Sequence, residues 1–135
     1  MPGTADDEIL DLTRRLLAAI AAADWPTYTS LVAADVTCFE PEARGHLVEG
    51  LPFHEYYFRL AAGRSPTAAP PPTTSLASPH VRWLGNDAAV VSYVRLVQKL
   101  DDAGRPVTTA SEETRVWQRT AAGWKHVHFH RSVPG

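Results

Sequence analysis

Three arginines sit where strand patterns call for apolar residues. In Ser111-Glu112-Glu113-Thr114-Arg115-Val116-Trp117-Gln118-Arg119, strand alternation puts Glu113, Arg115 and Trp117 on one face. The Trp117 face is the better candidate for the interior, so Arg115 is expected there too. A charge taken out of water is costly unless it is paired or hydrogen-bonded. The pattern repeats in Val91-Ser92-Tyr93-Val94-Arg95-Leu96-Val97, where Arg95 shares a row with Val91, Tyr93 and Val97, and in Val127-His128-Phe129-His130-Arg131, where Arg131 joins Val127 and Phe129. If these strands are neighbours, the three guanidinium groups converge. The planar fork of arginine suits two-point binding of a carboxylate or phosphate. The competing reading is ion pairing with Glu112, Glu113, Glu40 or Glu42.

Two other groups belong to the same question. Tyr28 reads as a core or a cleft residue. His54 lies beside the stripe Phe53, Tyr57 and Leu60 of a helical pattern, together with Phe58. A histidine there is read first as a satisfied core or boundary residue and second as a ligand. His126, His128 and His130 alternate along one strand and are expected on one face. Such a row spans too far for one ion without further ligands, so no metal is expected. Phosphate-cradling glycine loops, nucleophile elbows and kinase signatures are missing from the sequence, and no cofactor is expected.

The elements that must position these residues can be read in order. Residues 6 to 23 have helical periodicity through Ile9, Leu12, Leu16, Leu17 and Ile20, with acids at the start. Asp24 reads as an N-cap and Pro26 as an early position of a short helix from Trp25 to about Ala34. Asp35 to Phe39 reads as a strand, Glu40 to Gly45 as a turn and His46 to Glu49 as its hairpin return. A third helix spans Leu51 to Leu60. The proline-rich stretch Gly63 to Thr74 reads as an extended crossing to the sheet. Strands are expected over about Thr74 to Leu84, Ala88 to Leu100, Pro106 to Thr120 and Trp124 to Val133. Glycine-containing turns join them into an antiparallel meander. Helices followed by a long antiparallel sheet make an α+β pattern. Val90, Val94, Leu96, Thr114 and Val116 give the second sheet face an apolar character that suits a partner, most simply another copy of the chain.

A chain of 135 residues, with 44% hydrophobic and 21% charged residues, fits a single soluble domain over 1–135, with 1–6 expected as a flexible tail. A net charge of −2 gives no general attraction to nucleic acid or to an anionic membrane, so neither is expected as a partner. The single Cys38 excludes an internal disulfide and fits a reducing compartment, and no apolar run approaches a membrane span or a signal peptide. A cytoplasmic location is expected.

The chain resembles the association (hub) domain of calcium/calmodulin-dependent protein kinase II. The stretches that carry the resemblance include Phe39-Glu40-Pro41-Glu42-Ala43, Leu47-Val48-Glu49-Gly50, Phe53-His54, Tyr57-Phe58, Tyr93-Val94-Arg95-Leu96, Ser111 to Trp117 and His126-Val127-His128-Phe129-His130. They run in order through nearly the whole chain. The resemblance implies a cone-like α+β fold of the nuclear transport factor 2-like superfamily, with three N-terminal helices packed on a strongly bent antiparallel β-sheet. It also implies self-association as a homodimer or larger ring, and a cleft that accepts small carboxylates. Its residue matches here are Arg95, Arg115 and Arg131, with Tyr28 and His54 at the rim. The chain has no room for a kinase domain or a calmodulin-binding segment, so a stand-alone relative without kinase activity is expected. The alternative is a small enzyme of the ketosteroid isomerase or polyketide cyclase type, with His54 or Glu113 as base and Tyr28 or Arg115 stabilising charge. A cleft dominated by arginines suits holding an anion better than abstracting a proton.

Overall fold

Thr4 opens the first helix by a reciprocal cap. Its hydroxyl accepts from the Asp7 amide, and its own amide donates to the Asp7 carboxylate, both at 3.1 Å. The computed structural model describes residues 4–63 and 72–134. Helix α1 runs Ala5–Ala21 and buries Ile9, Thr13, Leu16, Leu17 and Ala19. Residues 5 and 6 of the expected tail are therefore in its first turn, and residues 1–3 lie outside the described residues. Asp24 caps α2 (Trp25–Leu31) through the Thr27 amide at 3.2 Å, as its position before Pro26 implied.

The chain then enters β1 (Val32–Phe39), a 3-10 turn at Pro41–Ala43, β2 (Val48–Glu49) and α3 (Pro52–Ala62). The third helix thus follows two strands rather than preceding the sheet entirely. Gly50, at φ +81°, takes a left-handed conformation that a side chain resists, and its amide donates to Val36 at 2.7 Å. That bond fixes where α3 starts. Strands β3 (Thr73–Trp83), β4 (Ala88–Leu100), β5 (Pro106–Thr120) and β6 (Gly123–Ser132) form the expected antiparallel meander. Most of the proline-rich crossing expected over 63–74 lies outside the described residues.

The six strands form one sheet in the order β2-β1-β6-β5-β4-β3. β1 lies parallel to β6, so the sheet is mixed. The parallel contact joins distant parts of the chain and leaves no turn signal to read. Two side chains depart from the simple alternation. Opposite β5, Val116 pairs with His128 while Trp117 pairs with His126, so Val127 is an extra residue in β6. His126 is consequently turned into the core, away from His128 and His130, and the expected one-faced row of three histidines does not form. Among the described residues no group of three His, Cys, Asp or Glu side chains is placed to hold a metal ion. On α3, the buried residues are His54 and Phe58, whereas Tyr57 and Leu60 of the expected stripe are 40% and 47% exposed. Apolar residues flank both sides of that helix, and packing against Tyr28 and Phe129 selects the His54 side.

The core lies between the helices and one sheet face, where Ile9, Leu16 and Leu17 meet Val91, Tyr93 and Trp117. Thr13 joins the two layers. Its hydroxyl donates to the Ile9 carbonyl at 2.9 Å and accepts from Trp117 Nε1 at 3.1 Å, with both residues fully buried. Thr13→Val keeps the shape and removes the acceptor, leaving an indole N–H buried without a partner. We expect a loss of about 1–3 kcal/mol in urea unfolding; an unchanged midpoint would show that this contact does not tie helix to sheet.

Candidate functional site

The three rows do converge. β4, β5 and β6 are adjacent, and the registers Tyr93↔Glu113, Arg95↔Ser111 and Glu113↔Arg131 bring the arginines to one end of the helix-facing side. A cavity of about 290 Å³ opens there. Arg95, Arg115, Arg131, Tyr28 and His54 all line it, whereas Glu113, the other candidate base, does not. Glu40 and Glu42 line it as well, from the turn after β1. Tyr28 and His54 are 2% and 6% exposed, which makes them inner wall rather than rim.

The ion-pairing reading is realised at the same time. Arg115 is 2% exposed and its Nη2 donates to Glu113 Oε1 at 2.9 Å. Its Nε donates to the Tyr93 hydroxyl at 2.8 Å, and that hydroxyl donates to Glu113 Oε1 at 2.6 Å. Glu113 Oε2 accepts from Ser111 at 3.1 Å and from Arg95 Nη1 at 3.3 Å. The Arg115 guanidinium also lies 4.5 Å over the Phe129 ring, a cation–π contact strengthened by the dry surroundings. At the mouth, Arg131 pairs with Glu42 and lies 3.9 Å from Glu40 Oε2. Glu112, the fourth acid weighed, is exposed on the other face.

The electrostatics follow from this packing. Burial alone would raise the Glu113 carboxyl, but the Arg115 and Arg95 cations and the Tyr93 hydroxyl override it and hold the group at about 2. Glu40 moves the other way, up to about 6, because burial and the neighbouring Glu42 outweigh the arginines. Burial and then Arg115 depress His54 to about 4, so its imidazole is neutral near pH 7. Burial pushes Tyr28 well above the usual phenol range and Cys38 to about 12. The Cys38 thiol, 3.8 Å from His54 Nε2, is therefore a neutral partner and not a thiolate nucleophile.

Sequence reasoning missed His126. Its Nε2 lies 3.4 Å from Arg115 Nη1. Arginine can only donate, so Nε2 accepts and the ring proton sits on Nδ1. Burial and Arg115 keep this imidazole neutral, well below its ordinary value. Only the bulge at Val127 places it there, and one extra residue in a strand leaves no mark on the alternation that precedes it.

Known proteins resemble the chain in sequence and in fold. The family model described as the calcium/calmodulin dependent protein kinase II association domain matches residues 5–135. The calcium/calmodulin-dependent protein kinase type II subunit delta of Oryctolagus cuniculus is 46% identical over 93% of the chain, which spans 23% of that kinase's length. The structure of the Chlamydamonas reinhardtii CamKII hub homology domain superposes with a TM-score of 0.91 at 49% identity, covering 98% of this chain and 100% of that one. A nuclear transport factor 2-like superfamily protein from Salmonella enterica, at 24% identity and a TM-score of 0.74 over 96% of this chain and 90% of its own, shares the fold.

Glu113 offers a direct test of the buried cluster. Glu113→Gln leaves Arg115 without its counter-charge, and we expect a loss of about 3–5 kcal/mol at pH 7. The folded-state carboxyl is depressed from 4.5 to about 2, so its contribution is complete above about pH 5 and is lost as pH falls through about 2. The stability gap between the two proteins should therefore narrow steadily below pH 4.5 in denaturant titrations. A gap independent of pH would contradict the assignment.

Proposed function

Because the chain belongs to the calcium/calmodulin-dependent protein kinase II association domain family, we propose that it is a homo-oligomerising cytoplasmic module whose arginine-lined cleft binds a small carboxylate or other anion, with no kinase activity in this domain. The observation that carries the binding reading is Arg95. It lines the cavity with its side chain 15% exposed, and it makes a single long ion pair, 3.3 Å from Nη1 to Glu113 Oε2. A guanidinium has five N–H donors, so one so lightly engaged keeps donors for an anion in the cavity. Tyr28 and His54 bound the space from the helix side as neutral groups and orient the ligand. Self-association is supported by the outer sheet face, where Val90, Val94, Leu96 and Val116 remain only half-buried in the single chain. A cytoplasmic setting accords with the buried free thiol of Cys38. Among the described residues no helix is long and apolar enough to cross a membrane.

The acid–base groups of the enzyme alternative are poorly suited to turnover. Glu113 is held ionised and fully engaged, and a neutral imidazole depressed to about 4 is a weak base. Binding therefore accounts for the site better than catalysis.

Arg95 is the residue to vary, because removing Arg115 would strand Glu113 in the core. Arg95→Gln deletes a charge-assisted contact of about 1.5–3 kcal/mol. We expect acetate affinity in calorimetric titration to fall about tenfold or more. Equal affinity in the variant would overturn the anion-binding reading. Native mass spectrometry of the purified protein should give a multiple of the 14.8 kDa chain mass; a monomer throughout would overturn the self-association reading.

A further inference from the structure

The cleft contains its own anions. Glu40 stands in extended backbone just before the 3-10 turn, and Glu42 lies within it. Their carboxylates meet the Arg131 guanidinium across the cavity mouth, the first at 3.9 Å and the second in direct contact. The Glu40 side chain is 11% exposed and the Arg131 side chain 20%, so these charges interact with little solvent screening. At the inner end Arg95 and Arg115 share the single carboxylate of Glu113. The cationic charge of the three arginines is thus matched by three glutamates when all are ionised. An added anion then makes the site net negative in a half-dry space. A proton on one glutamate restores balance for a singly charged ligand but not for a doubly charged one.

We propose that Glu40 and Glu42 are specificity-determining counter-ligands of Arg131, which an incoming anion displaces, and that they restrict the cleft to singly charged anions taken up together with one proton. The proposal rests on the anion-binding reading given above and adds to it the ligand's charge and the coupling to pH. Glu40 is the group that accepts the proton. Burial and Glu42 already raise it to about 6, and a bound anion raises it further, so binding tightens as pH falls from 7 through 6. The other groups around it are accounted for. Arg131 of β6 and Arg115 of β5 oppose the shift, and Glu113 of β5 adds to it. Cys38 of β1, Tyr28 of α2 and His54 of α3 are neutral throughout that window. Arg44, His46 and His130 line the groove on the outer side of Glu40. Any pH dependence that they cause survives replacement of Glu40.

The test is calorimetric titration of propionate and malonate into the full chain and into Glu40→Gln and Glu42→Gln, at pH 7.5, 6.5 and 5.5. For the wild type we expect propionate to bind at least tenfold more tightly than malonate at pH 7.5, propionate affinity to rise as pH falls, and proton uptake to show as a dependence of the measured heat on buffer ionisation enthalpy. In Glu40→Gln the pH dependence should disappear, and both variants should gain malonate affinity about tenfold. Wild-type binding without pH dependence, or with malonate preferred, would overturn this inference and leave the anion site standing; it needs no variant to fold. The same holds if the variants bind both probes as the wild type does. If neither probe binds any of the three proteins, the anion site and this inference are overturned together.

Discussion

The structure depends on one buried charge pair. Glu113 and Arg115 lie two residues apart on the same strand face, inside a layer otherwise built from Trp117, Val91 and Tyr93. Alone, the carboxyl would take up a proton and the guanidinium would be a buried cation without a counter-charge. Together they survive because Tyr93, Ser111 and Arg95 complete the lone pairs of the carboxylate, while Tyr93, His126 and the Phe129 ring occupy the guanidinium. These contacts restrain side chains on three adjacent strands around the pair, although Arg95 Nε and His126 Nδ1 make no hydrogen bond among the described residues. It also holds a positive guanidinium against a cavity wall without letting it collapse into solvent.

The cleft therefore has two layers of charge with different duties. The inner one is closed, and its carboxylate is held far from titration. The outer one is built on a turn that projects from β1 and faces solvent on one side. Its carboxylates repel each other as well as serving Arg131, which is why Glu40 ends raised and Glu113 lowered although burial pushes both upward. Two glutamates of the same chemistry diverge because one has two cations within hydrogen-bonding range and the other has a like charge beside it.

Much of this was legible in the sequence, for a definite reason. Strand alternation is a rigid geometric rule, so the grouping of Glu113, Arg115 and Trp117, and of Tyr93 with Arg95, followed from residue type and spacing. The helix caps at Asp24 and the hairpin turns were equally local. What could not be read depended on distant chain segments. The burial of His54 rather than Tyr57 was decided by Tyr28 and Phe129. The parallel pairing of β1 with β6 has no local signal, and the bulge at Val127 decouples His126 from its neighbours. Thr13 carried no mark of importance, because its partner Trp117 is 104 residues away. The choice between an anion cleft and ion pairs could not be settled by pattern, because the same arginines make the ion pairs and line the cavity.

The parallel contact between β1 and β6 bears on how the protein is made. β1 emerges from the ribosome well before β6, so the early strand has no parallel neighbour until the elements from β3 to β6 have been made. Helices α1 and α2 can form locally in the meantime, whereas the charge network needs β4, β5 and β6 together. Loop closure over such a separation is slow compared with helix formation. The nascent chain thus carries an apolar helix layer beneath an incomplete sheet until β6 has emerged, and its exposure to aggregation is greatest over that interval.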